Sequence, residues 1–363
     1  MQRQIASDMM IDVSYNGALA KIPVTQPISY LPQQYWATGA TRNQALDDEL
    51  NRNVPNPFNI ANLTALQSSD PLLYNYLSTQ SFFRGTTLRK HQLLRAFPHM
   101  SSLNGLRPGV SFNDARGDNK YHDFQLLVER RFSKGLHSAL SYTRAYSELR
   151  DFYYNEFDST PTWEDNQDVR PHRWVWSGIY ELPLGKGRTW LQSGPLERVA
   201  GGWRLSWIYQ YQSGASTSWA NRFFYGDINR IGELFKHDQV HAANIHAWFD
   251  PGVTYTGAGA IPQGFQGFEG RSAQQPGSFQ VRMFPTRLTA LRADGIRNWD
   301  FKILRQFKIT ERLNTNFSVD FLNATNHTNF SDPDTNPTSK TFGMVTSQRG
   351  VSRVLQFNLR IDF

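Results

Sequence analysis

The last ten residues of the chain read VLQFNLRIDF, residues 354 to 363. Leu355, Phe357, Leu359, Ile361 and Phe363 fall on one face of an extended strand, and Gln356, Asn358, Arg360 and Asp362 on the other, because successive strand side chains alternate between faces. An apolar face opposite a polar one suits a half-buried soluble sheet. A soluble chain, however, blunts a terminal strand with a charge, a proline or a covering loop, because a free edge templates aggregation. Here the alternation runs to the last residue. A barrel uses both faces, the apolar one on lipid and the polar one on a wet lumen, and closure removes the edge.

The pattern recurs upstream. NWDFKILRQFKI places Trp299, Phe301, Ile303, Phe307 and Ile309 on one face, and Leu313, Thr315, Phe317, Val319 and Phe321 repeat it after the short connection TER at 310–312. YHDFQLLVERRF and LHSALSYTRAY flank the turn SKG, RWVWSGIYELPL aligns Trp174, Trp176, Tyr180 and Leu182, and GWRLSWIYQYQSG aligns Trp203, Leu205, Trp207, Tyr209 and Tyr211. So many indoles on neighbouring strands would be a heavy apolar load in water and are favoured at a bilayer boundary. The spacing predicts strands at 9–20, 118–132, 136–148, 171–184, 201–215, 296–309, 313–326 and 346–363, with a stub at 2–5. One end of the set has short connections, at 133–135 and 310–312 and a modest one at 185–201. The other end has long ones at 21–117, 149–170, 216–296 and 328–345, within which 98–115 is expected to form a short hairpin outside the membrane. Short turns on one side and long loops on the other are the periplasm-versus-exterior asymmetry of outer-membrane barrels. Eight strands and a stub make an odd set, whereas bacterial single-chain barrels close with even numbers. The chain is therefore expected to be a partial antiparallel transmembrane β-barrel, about nine strands of a larger one.

Composition narrows the alternatives. A mean hydropathy of −0.54 and the absence of an apolar run long enough to span a bilayer exclude helical membrane spans. Aromatics at 14% suit strands and interfacial girdles. With no cysteine, disulfides and thiolate metal sites or nucleophiles are excluded. The opening MQRQIASDMMIDVSYNG lacks the basic and apolar regions of a signal peptide. The net charge of +7 comes from Lys and Arg spread singly, which argues against nucleic acid as a partner.

Taken together and in order, GVSRVLQFNLRIDF, RNWDFKILRQFKITERLNTNFSVDFLNATNHTNF, ERRFSKGLHSALSYTRAY, and HRWVWSGIYELPLGKGR followed by GGWRLSWIYQYQSG resemble the barrel of TonB-dependent outer-membrane transporters of the Oar-like subgroup. Smaller echoes are IDVSYNGALA, VPNPF, QLLRAFPHM and AWFDPG. The resemblance implies that residues 1–363 are the C-terminal part of such a barrel, without the plug, the TonB box, the signal peptide or the earlier strands. It implies that Leu355, Phe357, Leu359, Ile361 and Phe363 form the signal read by the barrel-assembly machinery. Expected partners are outer-membrane lipids, that machinery, an extracellular ligand of unknown identity, and the TonB complex only through the missing plug. The role it implies is energised uptake of a large or scarce ligand with no chemistry of the chain's own; a stand-alone channel or adhesin and a secreted β-sandwich enzyme or lectin are the alternatives.

Candidate sites follow from this frame. Trp174, Trp176, Trp203, Trp207 and Trp299 are expected on the lipid face or its girdle. Loop aromatics Tyr74, Tyr76, Trp219, Phe223 and Tyr225 are the candidate ligand contacts, with mutual loop packing the competing explanation. His237, His241 and His246 have partial metal spacing but lack HExxH, and the carboxylate pairs Asp332/Asp334 and Glu148/Asp151 sit in turn-like contexts. No cofactor, metal or catalytic residue is expected, and the acceptor patterns NLT at 62, NAT at 323 and NHT at 326 are expected to be incidental.

Overall fold

In the computed structural model, which describes residues 2–39, 42–101, 111–219, 221, 223–224, 248, 273–274, 276–308, 314–336, 339, 341 and 343–362, the alternating segments lie side by side in one antiparallel sheet. Its strands are β1 (Gln2–Ala6), β2 (Met9–Pro27), β3 (Ser111–Ser133), β4 (Leu136–Arg150), β5 (His172–Glu181), β6 (Trp203–Gln212), β7 (Ile296–Lys308), β8 (Asn314–Leu322) and β9 (Val354–Asp362). Each pairs with its neighbour in chain order, and a two-residue strand, Glu164–Asp165, adds to the outer end of β4. Such an up-and-down order is what short turns permit. Among the described residues β1 and β9 do not pair with each other.

The inner end is built from tight connections. Ser133 pairs with Leu136 across Lys134 and Gly135, whose φ values of 50° and 81° are the two positive angles of a type I′ hairpin turn. A longer inner connection between β5 and β6 carries the helix Pro195–Ala200. The predicted turn at 310–312 lies outside the described residues.

Two boundaries differ from the sequence expectation. Residues 21–27 and 111–117 are strand rather than loop or separate hairpin, because Lys21–Pro27 pairs with Ser111–Asp118 across a bulge between Ile22 and Val24. Gly117 permits that close approach: a Cβ there would lie 2.4 Å from Val24 Cγ2. In contrast, β9 begins only at Val354, since Gln348–Arg349 pairs with Asn329–Phe330 above it.

The segment following β2 is a folded cap rather than an open loop. It contains α1 (Gln44–Asn51), α2 (Thr64–Ser69), α3 (Pro71–Thr79), α4 (Ser81–Arg84) and α5 (Lys90–Leu93). Asn43 caps α1 by accepting from the Leu46 N–H, and Asp70 caps α3 by accepting from the Leu73 N–H with Pro71 in its first turn. Two small cores hold the cap, one of Leu31, Leu50 and Phe279 and one of Phe82, Phe83 and Leu88.

Candidate functional site

Register converts the strand alternation into two continuous faces. On one face Leu355, Phe357 and Leu359 of β9 lie opposite Phe321, Val319 and Phe317 of β8, which lie opposite Phe301, Ile303 and Arg305 of β7. The rows continue to Trp207, Leu205 and Trp203 of β6, to Gly178 and Tyr180 of β5, and through Tyr142 and Leu140 of β4 to Leu126 and Val128 of β3 and Val13 and Ile11 of β2. Leu355, Phe357, Leu359 and Ile361 are 47%, 68%, 64% and 49% exposed. Apolar side chains this open on a continuous face fit lipid and not water. The fifth member of the proposed assembly signal, Phe363, lies outside the described residues.

The opposite face is polar and internally bonded. Asp320 receives Asn358 Nδ2 at 2.8 Å and pairs with Lys302 Nζ at 3.1 Å, and Asn16 Nδ2 donates to Asp123 Oδ1 at 2.9 Å. Charges tied to one another across neighbouring strands are the expected lining of a hydrated lumen.

The five tryptophans all occupy the apolar face. Trp174, opposite Tyr142 and Tyr211, and Trp176, opposite Tyr209, lie toward the outer end, as does Trp299, also opposite Tyr209. Trp176 packs edge-on to Trp207 at 5.3 Å and donates its indole N–H to Ser138 Oγ at 2.9 Å. Trp207 lies across Gly178, where a Cβ would approach its Cζ2 to 2.3 Å, so the missing side chain is the seat of the indole. Trp203 marks the inner end, its N–H donated to the Val199 carbonyl at 2.9 Å and the Arg305 guanidinium 5.6 Å from its ring. Amphipathic rings at both ends of an apolar band are how a spanning sheet fixes its depth.

Above the outer end, loops from different parts of the chain lock into one platform. Arg95, 5% exposed, forms a two-point ion pair with Glu156 at 2.6 and 3.1 Å and donates to the Ser29 carbonyl at 2.7 Å. Buried Asp47 accepts from the Ser278 and Phe279 N–H groups at 3.1 and 3.3 Å. Glu164 accepts from the Tyr154 hydroxyl and from the Thr286 hydroxyl and N–H; burial and that carboxylate push the Tyr154 hydroxyl pKa up, keeping it a donor. Within the cap, Asn56 Nδ2 donates to the Phe82 and Gly85 carbonyls at 2.7 and 2.8 Å, while its Oδ1 receives the Phe58 N–H at 2.9 Å.

The candidate ligand contacts divide. Tyr74 and Tyr76 lie on α3, the first half-buried and the second exposed beside exposed Leu72. Trp219 is a correction to the expectation of a surface contact: it is 1% exposed, packed inside the platform with its backbone N–H donated to the Thr286 carbonyl at 2.7 Å. Phe223 is described only through backbone pairing with Gln274, and Tyr225, His237, His241 and His246 lie outside the described residues. Asp334 accepts from the Asn336 N–H and the Thr341 hydroxyl, local turn contacts, and Asp332 pairs with Arg349 across the loop. Asn323 is likewise a turn residue at φ 48°, bonded to His327 and Val351. Among the described residues no cluster of three or more potential ligands could hold a metal. The ties Arg95–Glu156 and Asp47–Ser278 were not predicted, since sequence separation of 61 and 231 residues leaves no local signal.

Among solved structures, the chain is similar to the crystal structure of the outer membrane transporter YddB from Escherichia coli, at 10% identity and a TM-score of 0.38, over 100% of this chain and 31% of that one. The chain thus spans about a third of that protein's length. No curated protein sequence matches it. A family model described as the outer membrane beta barrel domain matches residues 1–356, and with its apolar sheet face, aromatic ends and inner-outer loop asymmetry the chain belongs to that family and resides in the bacterial outer membrane.

Proposed function

We propose that this chain is barrel wall and outer mouth of a TonB-dependent transporter of the Oar-like type, serving energised uptake of a large or scarce ligand and performing no chemistry itself. The observation that carries this reading is the asymmetry of the sheet. Tight turns close one end, while at the other the segments 28–101, 151–171 and 276–294 interlock into a folded platform over a polar sheet face. A rigid scaffold bearing an elaborated outer surface is the arrangement of a receptor that captures before it transports. The sequence resemblance supplies the TonB dependence, with the plug as the element that meets the TonB complex, and the alternating apolar residues from Leu355 to Phe363 of the sequence as what the assembly machinery reads.

The test is the genomic DNA upstream of the codon for Met1. A continuous frame encoding a plug and further alternating strands supports the transporter. A stop codon followed by a promoter overturns it and leaves a stand-alone channel or adhesin.

A further inference from the structure

A cavity of about 540 Å³ lies where the outer end of β4 meets the strand Glu164–Asp165 and the segment 285–292. Three guanidinium groups line it, those of Arg144, Arg287 and Arg292, together with Trp163 and Tyr146. Residues of β4 that share the parity of the lipid-facing Tyr142 are open here, Arg144 and Tyr146 both being exposed. Those of the opposite parity, Ala145 and Ser147, are buried at 8% and 2%. The mouth therefore faces outward, one alternation above the aromatic row Tyr142, Trp174 and Tyr211.

Three carboxylates line the cavity as well, those of Glu148, Glu164 and Asp165. Glu164 is occupied by Tyr154 and Thr286, Glu148 by the Tyr146 hydroxyl, and Asp165 lies 3.8 Å from Arg292. Among the described residues no carboxylate comes within 4.0 Å of Arg144 or Arg287, and Arg287 feels the Asp151 carboxylate only at longer range. Arg144 is instead steadied by a neutral relay, its Nη1 3.5 Å from His172 Nε2 while His172 Nδ1 lies 2.8 Å from the Tyr142 hydroxyl. Beside the mouth Lys120 Nζ sits 4.0 Å above the Trp163 ring.

We infer that this cavity binds the phosphorylated saccharide headgroup of an outer-leaflet glycolipid. A forked guanidinium matches a phosphate in two-point geometry, Lys120 and Arg150 lie over the Trp163 ring at 4.0 and 5.0 Å and add cations beside the mouth, and the volume fits a sugar-sized group. The opening immediately above an aromatic girdle places it at the headgroup level of the membrane the protein occupies, which selects a lipid over a soluble anion.

The full-length protein, purified from outer membranes into detergent and delipidated, is titrated with diphosphoryl lipid A and read by native mass spectrometry. The wild type is expected to bind it and the Arg144→Gln/Arg287→Gln variant to bind roughly 10- to 100-fold more weakly, the loss for removing charge-assisted hydrogen bonds. Arg297→Gln, a cation on the same face but outside the cavity, is expected to bind as the wild type does. Two arms use the wild type alone, so they decide even if the double variant misfolds. Equal binding of chemically dephosphorylated lipid A overturns the inference, as does binding of glucosamine 1-phosphate as tight as that of lipid A, which reassigns the cavity to a soluble ligand. Unchanged affinity in a folded double variant overturns it too.

Discussion

The assignment of faces can be tested on two adjacent residues of β9. Leu359 is 64% exposed on the apolar face opposite Phe317, and Asn358 is half-buried on the polar face opposite Ser318. Leu359→Arg puts a guanidinium into hydrocarbon on a strand where each residue descends only about 2.3 Å, taking a rise of roughly 3.3 Å and a tilt near 45°. The apolar row from Leu355 to Ile361 then covers about 14 Å of depth, and Leu359 lies well inside it. A charge near midplane on the lipid face costs roughly 2 to 4 kcal/mol, or about 30- to nearly 1000-fold in the folding equilibrium. Asn358→Arg places the same group beside Asp320, which already receives Asn358 Nδ2 at 2.8 Å, in the hydrated lumen. It is expected to change stability by less than about 1 kcal/mol. The assay is refolding of the full-length protein into phosphatidylcholine vesicles across a urea series, with the folded fraction read from the heat-modifiable gel band. Equal midpoints for the two variants, or the larger loss at Asn358, would refute the face assignment.

Three further outcomes are expected. Gly178→Val should displace the Trp207 indole from its seat and destabilise the barrel by about 1–3 kcal/mol, as overpacking does; an unchanged tryptophan emission maximum and urea midpoint contradict the contact. Arg95→Ala leaves Glu156 without its buried partner, an event worth roughly 3–5 kcal/mol in well-buried pairs and less here because Glu156 is 28% exposed. It should speed tryptic cleavage within 28–101 while leaving barrel heat-modifiability intact, and an unchanged cleavage rate counts against the platform. The third outcome concerns pH: burial, reinforced by the Arg95 charge, lowers the His91 pKa to about 4 from its ordinary 6.5. The unfolded cap then takes up a proton that the folded one refuses as pH falls from about 6.5 to about 4, so cap stability should fall across that window and level off below it. Hydrogen exchange of residues 28–101 measures this, and a His91→Gln variant with the same pH profile as the wild type would show that another group is responsible.

The strands were legible because each carries its own evidence: a period-two alternation over nine or more residues, bounded by turn chemistry, needs no tertiary information. Even the faces were legible, since Leu355 through Ile361 and Trp203 through Tyr211 sort themselves by parity. The tall upper halves of β2 and β3 were not, because IPVTQP and the run before Asp118 mix Pro, Asn and Gly, which read as loop. They are strand because the ladder between Met9–Lys21 and Asp118–Arg130 below them sets their register. The cap was illegible for a different reason. Its helices run from 4 to 9 residues, too short for a 3.6-residue period to show.

What holds the cap is polar side chain to backbone, and this bears on how the platform works. Asn56 bonds three backbone groups in the segment 58–85, Asp47 bonds two N–H groups at 278 and 279, and Glu164 bonds Thr286. Such bonds satisfy irregular backbone that has no ladder to join, and each contributes modestly while costing more when half of it is removed. Their distribution means that the cap, the 151–171 segment and the 276–294 segment are tied by polar contacts at several separate places, with one small apolar cluster, Leu31 and Leu50 against Phe279, shared between the cap and the 276–294 segment. The two apolar clusters, around Leu50 and around Phe82, are small, so release of the platform as a unit requires loss of Arg95–Glu156, the Asp47 contacts, the Glu164 contacts and the packing of Phe279 on Leu31 and Leu50 together. Double-mutant coupling between Arg95 and Asp47, which meet different segments, should therefore be near zero for local opening and positive for detachment of the whole cap.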